Sequence, residues 1–263
     1  SFAISMPKGK RFIHSTLDPL DLNKDVASEV CLLGDAALTL ESLTDAVEKQ
    51  LDAPRDQKSV TSEIATIREE WLSQWMPKLR SDQNPLSPYR VLWDLQNTVD
   101  KENTIITHDA GSPRDQITPF WQSTKPLSYI GWGKTTQLGY GLGLAMGAKL
   151  ARPEALCINV WGDAAIGFTG MDFETAVRER IPILSILLNN FSMAIELKIM
   201  AVSTEKYRAT DISGNYADMA RAFGAYGKRV TEVVDIIPAI KRGIEQTQAG
   251  TPADRKSVVS ERV

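Results

Sequence analysis

The stretch WGDAAIGFTGMDFETAVRERIPILSILLNN, Trp161 to Asn190, opens with an aspartate directly after one apolar run and closes with two asparagines directly after another. From Asp163 to Asn190 is 27 positions, about what a strand end, a loop, a helix and a second strand consume in one βαβ unit. The strands of such a unit run parallel, so their carboxyl ends meet at one sheet edge, where open α/β sheets bind ligands. A carboxylate and an amide oxygen converging there are hard donors. They suit Mg²⁺, which prefers octahedral oxygen and completes its shell with waters and phosphates. Two protein oxygens do not fill that shell, so phosphate oxygens are expected as further ligands. Taken singly, Gly-Asp after a strand and Asn-Asn at a strand end are more often plain turns. Their joint placement is what argues for a metal.

The elements that must position these residues can be read along the chain. Arg11–His14 and Val30–Leu33 read as short strands, and Leu38–Leu51 as a helix with Leu40, Leu43 and Val47 on one face. This part is too small for a core of its own and reads as residues 1–51, the end of a preceding α/β domain. Residues 52–85 are polar, with an amphipathic helix around Glu63–Trp75, and read as a linker. From Leu86 the pattern changes. Ser87 stands as N-cap and Pro88 at the first helical position. Then come the strands TIITH, SYI, ALCINVWG, IPILSILLN and GAYGKRV, alternating with helices at Leu138–Leu150, MDFETAVRER, Tyr216–Phe223 and Val233–Gln246. Continuous apolar strands alternating with helices predict a doubly wound parallel sheet, covered by helices on both faces, over residues 86–252. After AGTPA, the run from 253 to 263 has no helical or strand pattern. The segment DRKSVV matches one reading frame of a common sequencing-library adapter, so this run is read as a non-native tail.

Composition narrows the function. The 263 residues carry 30 Lys and Arg against 33 Asp and Glu, a net charge of −3. That leaves no basic field for nucleic acid or an anionic membrane. No apolar run approaches the roughly 20 residues of a bilayer span, and no signal-peptide pattern is present, which points to a cytoplasmic protein. Cys31 and Cys157 both lie among aliphatic residues and read as buried free thiols. With only His14 and His108, a multi-histidine metal site is excluded.

The pattern GDA…LNN at this spacing resembles the motif of the thiamine diphosphate-dependent enzymes, most closely the acetolactate synthase and 2-oxoacid decarboxylase branch. THDAGSP resembles that family's strand-end segment beside the diphosphate. GWGKTTQLGYGLGLAMGAKLA resembles its Gly-rich turn and helix, and IHSTLDPLDLNKD the end of its central domain. The resemblance implies thiamine diphosphate and Mg²⁺ as cofactors. Asp163 and Asn190 would hold the metal by side chains and Ser192 by its backbone carbonyl. Gly162, Ala110, Ser112 and Met193 would line the diphosphate, with Ala164 and Ala165 offering it backbone N–H groups at a helix start. Leu138 would wedge between the cofactor's rings, and the Thr136 carbonyl would accept from its aminopyrimidine. The bent cofactor so enforced sets its amino group against thiazolium C2.

The family also implies a small 2-oxoacid substrate and a homo-oligomer with the active site at the subunit interface. The glutamate that activates the pyrimidine belongs to an N-terminal domain, and no residue here matches it; the polypeptide is read as a fragment, inactive alone. Some relatives carry FAD in the central domain, which the last strand and helix do not decide. Ala165, Ser112 and Pro113 stand where many relatives place hydroxyl or amide groups. Residues 191–211 contain no Trp, unlike the biosynthetic acetolactate synthases. Two other readings stay open: a dinucleotide-binding module, since GYGLG contains GxGxG but no third glycine at GxGxxG spacing, and a non-catalytic module that keeps the fold. His108, Glu196 and Lys198 are secondary candidates for contacts with substrate or protons.

Overall fold

The computed structural model describes residues 9–53, 56–131 and 137–258, so Trp132 and the Thr136 expectation lie outside the described residues. By internal contact density the chain divides into Ser1–Glu69 and Glu70–Val263, and the boundary falls inside helix α2 (Lys58–Leu79).

In the first unit, β1 (Ile13–Thr16) pairs in parallel with β2 (Val30–Leu33), and α1 (Ala36–Glu48) follows. Asp35 starts α1 because its Oδ1 accepts the N–H groups of Ala37 and Leu38 at 2.9 and 3.2 Å, two donors that otherwise lack a partner. Two strands and one helix enclose no core, and no described residue from 9 to 53 is buried. Cys31 is therefore exposed, correcting the expectation of two buried thiols; its neighbours Val30 and Leu33 are exposed as well.

The second unit is an α/β domain built on one six-stranded parallel sheet. Its strands are β3 (Thr104–His108), β4 (Tyr129–Ile130), β5 (Leu156–Gly162), β6 (Leu184–Asn189), β7 (Tyr226–Val230) and β8 (Ala253–Val258). They are ordered β4-β3-β5-β6-β8-β7. The central strands β3 and β6 are buried along their whole length, which is why their sequences run continuously apolar and do not alternate. One face packs Ile106, Ile158 and Ile186 against Leu92 and Leu95 of α3 (Pro88–Thr98) and Ile240 of α10 (Ile236–Gln248). The other packs Cys157, Trp161 and Leu187 against Leu142 of α5 (Tyr140–Ala151), Phe173 of α7 (Asp172–Arg178) and Ala220 of α9 (Tyr216–Ala222). This is the doubly wound arrangement expected.

A polar row crosses the middle of the sheet. Thr107, Asn159 and Ser185 are in register on β3, β5 and β6, and all three are fully buried. Thr107 Oγ1 lies 3.1 Å from Asn159 Oδ1, and Trp161 Nε1 donates to Ser185 Oγ at 2.8 Å.

Some elements differ from expectation. Ser87 occupies the N-cap of α3, but its side chain makes no capping bond. The α5 helix begins at Tyr140, two residues after the predicted start, because Gly139 takes φ +92° and stands as N-cap. Two short helices were not predicted, α4 (Ser112–Ile117) and α8 (Ala201–Tyr207), while a third, α6 (Asp163–Thr169), begins where the resemblance implies a helix start at Ala164 and Ala165. Residues 253–258, for which no strand was expected, lie as β8 between β6 and β7. Backbone pairing on two neighbours does not require an apolar pattern, so composition gave no sign of it.

Cys157 in β5 is fully buried, and burial pushes its thiol up to about 11. Ellman's reagent should titrate Cys31 at once and Cys157 only on unfolding; two fast thiols in the native protein would contradict this core. The sign of the thiol's linkage follows. Its contribution to stability is intact below the ordinary value of 9.0 and is lost as the pH climbs through about 11.

Candidate cofactor site

Gly162 ends β5 opposite Leu188 of β6, so Asp163 and Asn190 emerge from neighbouring strands at one carboxyl edge. Asp163 becomes the first residue of α6 and is only 3% exposed. Its Oδ1 accepts the Ala164 N–H at 2.9 Å, and its Oδ2 accepts the Phe191 N–H at 2.6 Å. The carboxylate thus reaches across to the residue after Asn190. Phe191 adopts φ +60°, an uncommon conformation for a bulky side chain, and it turns its N–H toward that carboxylate. Asn190 Oδ1 accepts the Ser192 N–H at 3.1 Å in a local turn. Ser192 bridges to Asp211, and the Met193 N–H donates to the Thr210 carbonyl at 2.9 Å.

Electrostatics mark the same spot. Burial raises the pKa of Asp163, opposed by the N–H groups of Phe191, Ala164 and Ser192. Among the described residues no Lys or Arg forms an ion pair with it. Tyr216 is pushed up to about 12 by burial and by the Asp163 charge. Asn189, whose Oδ1 shares the Phe191 N–H with Asp163, is fully buried and has its Nδ2 without a partner among the described residues. A buried carboxylate lacking a counter-ion, an amide oxygen next to it and an orphaned donor are what a cation with phosphate oxygens would complete. The residues present therefore fit Mg²⁺ and a diphosphate.

On the other side of β5, the end of β3 carries the remaining expected residues. The Ala110 N–H is taken by Asp109 Oδ1 at 2.8 Å, and Ser112 opens α4 after Gly111 at φ +86°. Pro113 packs its ring against Gly162, where a Cβ would lie 3.6 Å from it. Leu138 is half-buried against the core beside Gly139. The backbone donors of Ala110, Ala164, Ser192 and Met193 are thus already engaged by the protein, so a diphosphate meets them only in competition. Ala165 is buried within α6.

Secondary candidates separate. His108 is buried, its Nδ1 lies 3.2 Å from the Asp109 carbonyl, and burial lowers its pKa. A carbonyl only accepts, so Nδ1 carries the proton. Lys198 is exposed and Glu196 half-buried. Phe191 escaped the sequence reading because a backbone bond across a strand end leaves no sequence signal. Gly141, the second glycine of the GYGLG run, is tightly enclosed. A Cβ there would fall 2.5 Å from Asn159 Oδ1 and 3.1 Å from Asp109 Oδ2, so this glycine serves close packing of α5 on the sheet. A cavity of about 510 Å³ lined by Thr104, Lys149, Glu154 and Leu156 lies at the opposite, amino edge of the strands.

The family described as "Thiamine pyrophosphate enzyme, C-terminal TPP binding domain" matches residues 109–252. The chain belongs to that family. Among curated relatives of this thiamine pyrophosphate enzyme domain is a probable acetolactate synthase large subunit of Methanococcus aeolicus. It is 25% identical over 260 residues, covering 91% of this chain and 42% of the relative. The acetolactate synthase isozyme 3 large subunit of Escherichia coli is 25% identical, covering 90% of this chain and 41% of its own length. A sulfoacetaldehyde acetyltransferase of Castellaniella defragrans is 26% identical, covering 97% and 45%. The chain spans about two-fifths of the length of these relatives. No helix among the described residues is long and apolar enough to cross a membrane.

Proposed function

We propose that this chain holds the diphosphate of thiamine diphosphate through Mg²⁺, and that it is the diphosphate-side part of an enzyme acting on a 2-oxoacid as a carboligase, lyase or decarboxylase. One observation carries the reading: Asp163, at the end of β5, reaches the backbone beside Asn190 at the end of β6. Asp163, Asn190 and the Ser192 carbonyl would bind the metal. Gly162 and Pro113 would shape the wall beside it. Leu138 would set the bend. Once bound, the cofactor supplies an electron sink next to a carbonyl carbon, and the protein supplies binding and orientation. The assignment to 2-oxoacids rests on the acetolactate synthase relatives. The absence of Trp from residues 191–211 favours a substrate other than that of the branched-chain biosynthetic enzymes. We place the activating glutamate on an N-terminal domain and the active site between two copies, as the resemblance implies.

Titration of thiamine diphosphate followed by Trp fluorescence tests the reading, since Trp161 lies two residues before Asp163. Saturable quenching with Mg²⁺ and none with chelator is expected, with no turnover of pyruvate or benzoylformate by this chain alone. Absence of binding in a chain that also carries the N-terminal domain would refute it.

A further inference from the structure

Asp109 is fully buried at the end of β3. Among the described residues no cation pairs with it; three backbone N–H groups do. Its Oδ1 accepts from Ala110 and Gly139, each at 2.8 Å, and its Oδ2 from Gly141 at 3.1 Å. Two of those donors lie 30 and 32 residues away, at the start of α5. There the N-cap, Gly139, has no side chain to satisfy the first N–H groups. Asp109 supplies that cap from another strand, with a charge sign that suits a helix N-terminus.

The held amides are particular ones. The N–H of Gly139 belongs to the peptide unit of Leu138, so Asp109 fixes the plane that sets the direction of the Leu138 backbone. The next plane is fixed from the opposite side, where Thr169 Oγ1 of α6 donates to the Gly139 carbonyl at 2.6 Å. Gly139 cannot be replaced cheaply: its φ is +92°, and a Cβ would fall 2.8 Å from Thr169 Cγ2. Thr107 Oγ1 adds a third tie, to the Gly141 carbonyl at 2.9 Å. β3, α5 and α6 therefore converge on the three residues that follow Leu138.

We infer that Asp109 is a positioning residue: by clamping the Gly139 and Gly141 amides, with Thr169 opposite, it holds Leu138 in place for the ring end of the cofactor. The inference rests on the cofactor reading above but concerns a fully buried residue outside the set expected to bind metal. It separates the site into two parts. Asp163 and Asn190 govern the metal and diphosphate, and the Asp109 clamp governs the rings.

The test compares two probes, Mg²⁺-thiamine diphosphate and Mg²⁺-pyrophosphate, by calorimetry on the full chain, with amide exchange at Gly139 and Gly141. Asp109→Asn keeps the shape but turns at least one acceptor into an NH₂ facing an N–H. It should weaken thiamine diphosphate by about 10-fold or more, as loss of a group orienting a ligand typically does. Pyrophosphate affinity should stay within about twofold, with faster exchange at the two glycines; this split would not arise from general loosening of the fold. Thr169→Val removes the opposing tie without a charge change and should show the same split, more weakly, so the outcome does not hang on one variant's folding. Equal weakening of both probes, or no change in either, overturns the inference. Wild-type protein that binds neither probe sinks the cofactor reading and this inference with it, and is recognised because the loss precedes any substitution.

Discussion

Asp163→Ala is expected to weaken Mg²⁺-dependent binding of thiamine diphosphate by about 100-fold or more, since even outer partners of metal ligands are worth 10–100-fold. The companion Asp163→Asn is expected to lose binding similarly while changing the thermal midpoint of the unliganded protein only modestly. The reason is the site's electrostatics. The carboxylate is 3% exposed and faces no cation among the described residues; its charge is supported only by backbone N–H groups. Keeping an uncompensated charge buried is costly, and dipoles offset only part of that cost. A neutral amide of the same shape escapes that cost and offers the metal less, but its NH₂ faces one of the two N–H groups that the carboxylate accepts, which offsets the gain. Calorimetric titration and a thermal melt on the same samples check both halves. An unfolding midpoint that drops sharply in Asp163→Asn while metal-dependent binding persists would mean that the carboxylate serves the fold.

Trp161→Ala should cost about 3–5 kcal/mol of stability, the range for removing a large buried aromatic. Trp161 is fully buried, packs with Leu142, Ala165, Phe173 and Leu187 in the core on one sheet face, and donates Nε1 to Ser185. A loss of that size is a large part of the 5–15 kcal/mol that typically holds a domain together. Urea unfolding should show a lowered midpoint with an unchanged slope. Trp161→Phe, which keeps most of the volume, should cost much less. Wild-type stability in Trp161→Ala would show that the core is not packed around this ring.

The sheet was legible because β3, β5 and β6 are buried on both faces and so spell themselves as apolar runs. Asp163 and Asn190 were legible because strand ends in a βαβ unit fall at a known edge. The helices α4 and α8 were not, since six or seven residues hold too few turns to display a period. Cys31 was misjudged because aliphatic neighbours indicate burial only where enough elements exist to cover them. β8 escaped because its place is secured by backbone pairing with β6 and β7. The role of Asp109 was hidden for a further reason: it depends on a contact between β3 and the start of α5 that no local pattern encodes.

The buried row Thr107–Asn159–Ser185 works as an alignment mark. A strand that slipped by one residue would turn its polar member onto the opposite, apolar face and bring apolar side chains into the row. Such a slip would also shift Asp163 along the sheet relative to Asn190 by about 3.3 Å, one strand residue. A Mg²⁺–oxygen bond is only about 2.1 Å long, so misaligned strands could not share the ion proposed above. Three small polar side chains in the interior thus act as a ruler, and what they measure is the distance between two oxygens at the far end of their strands.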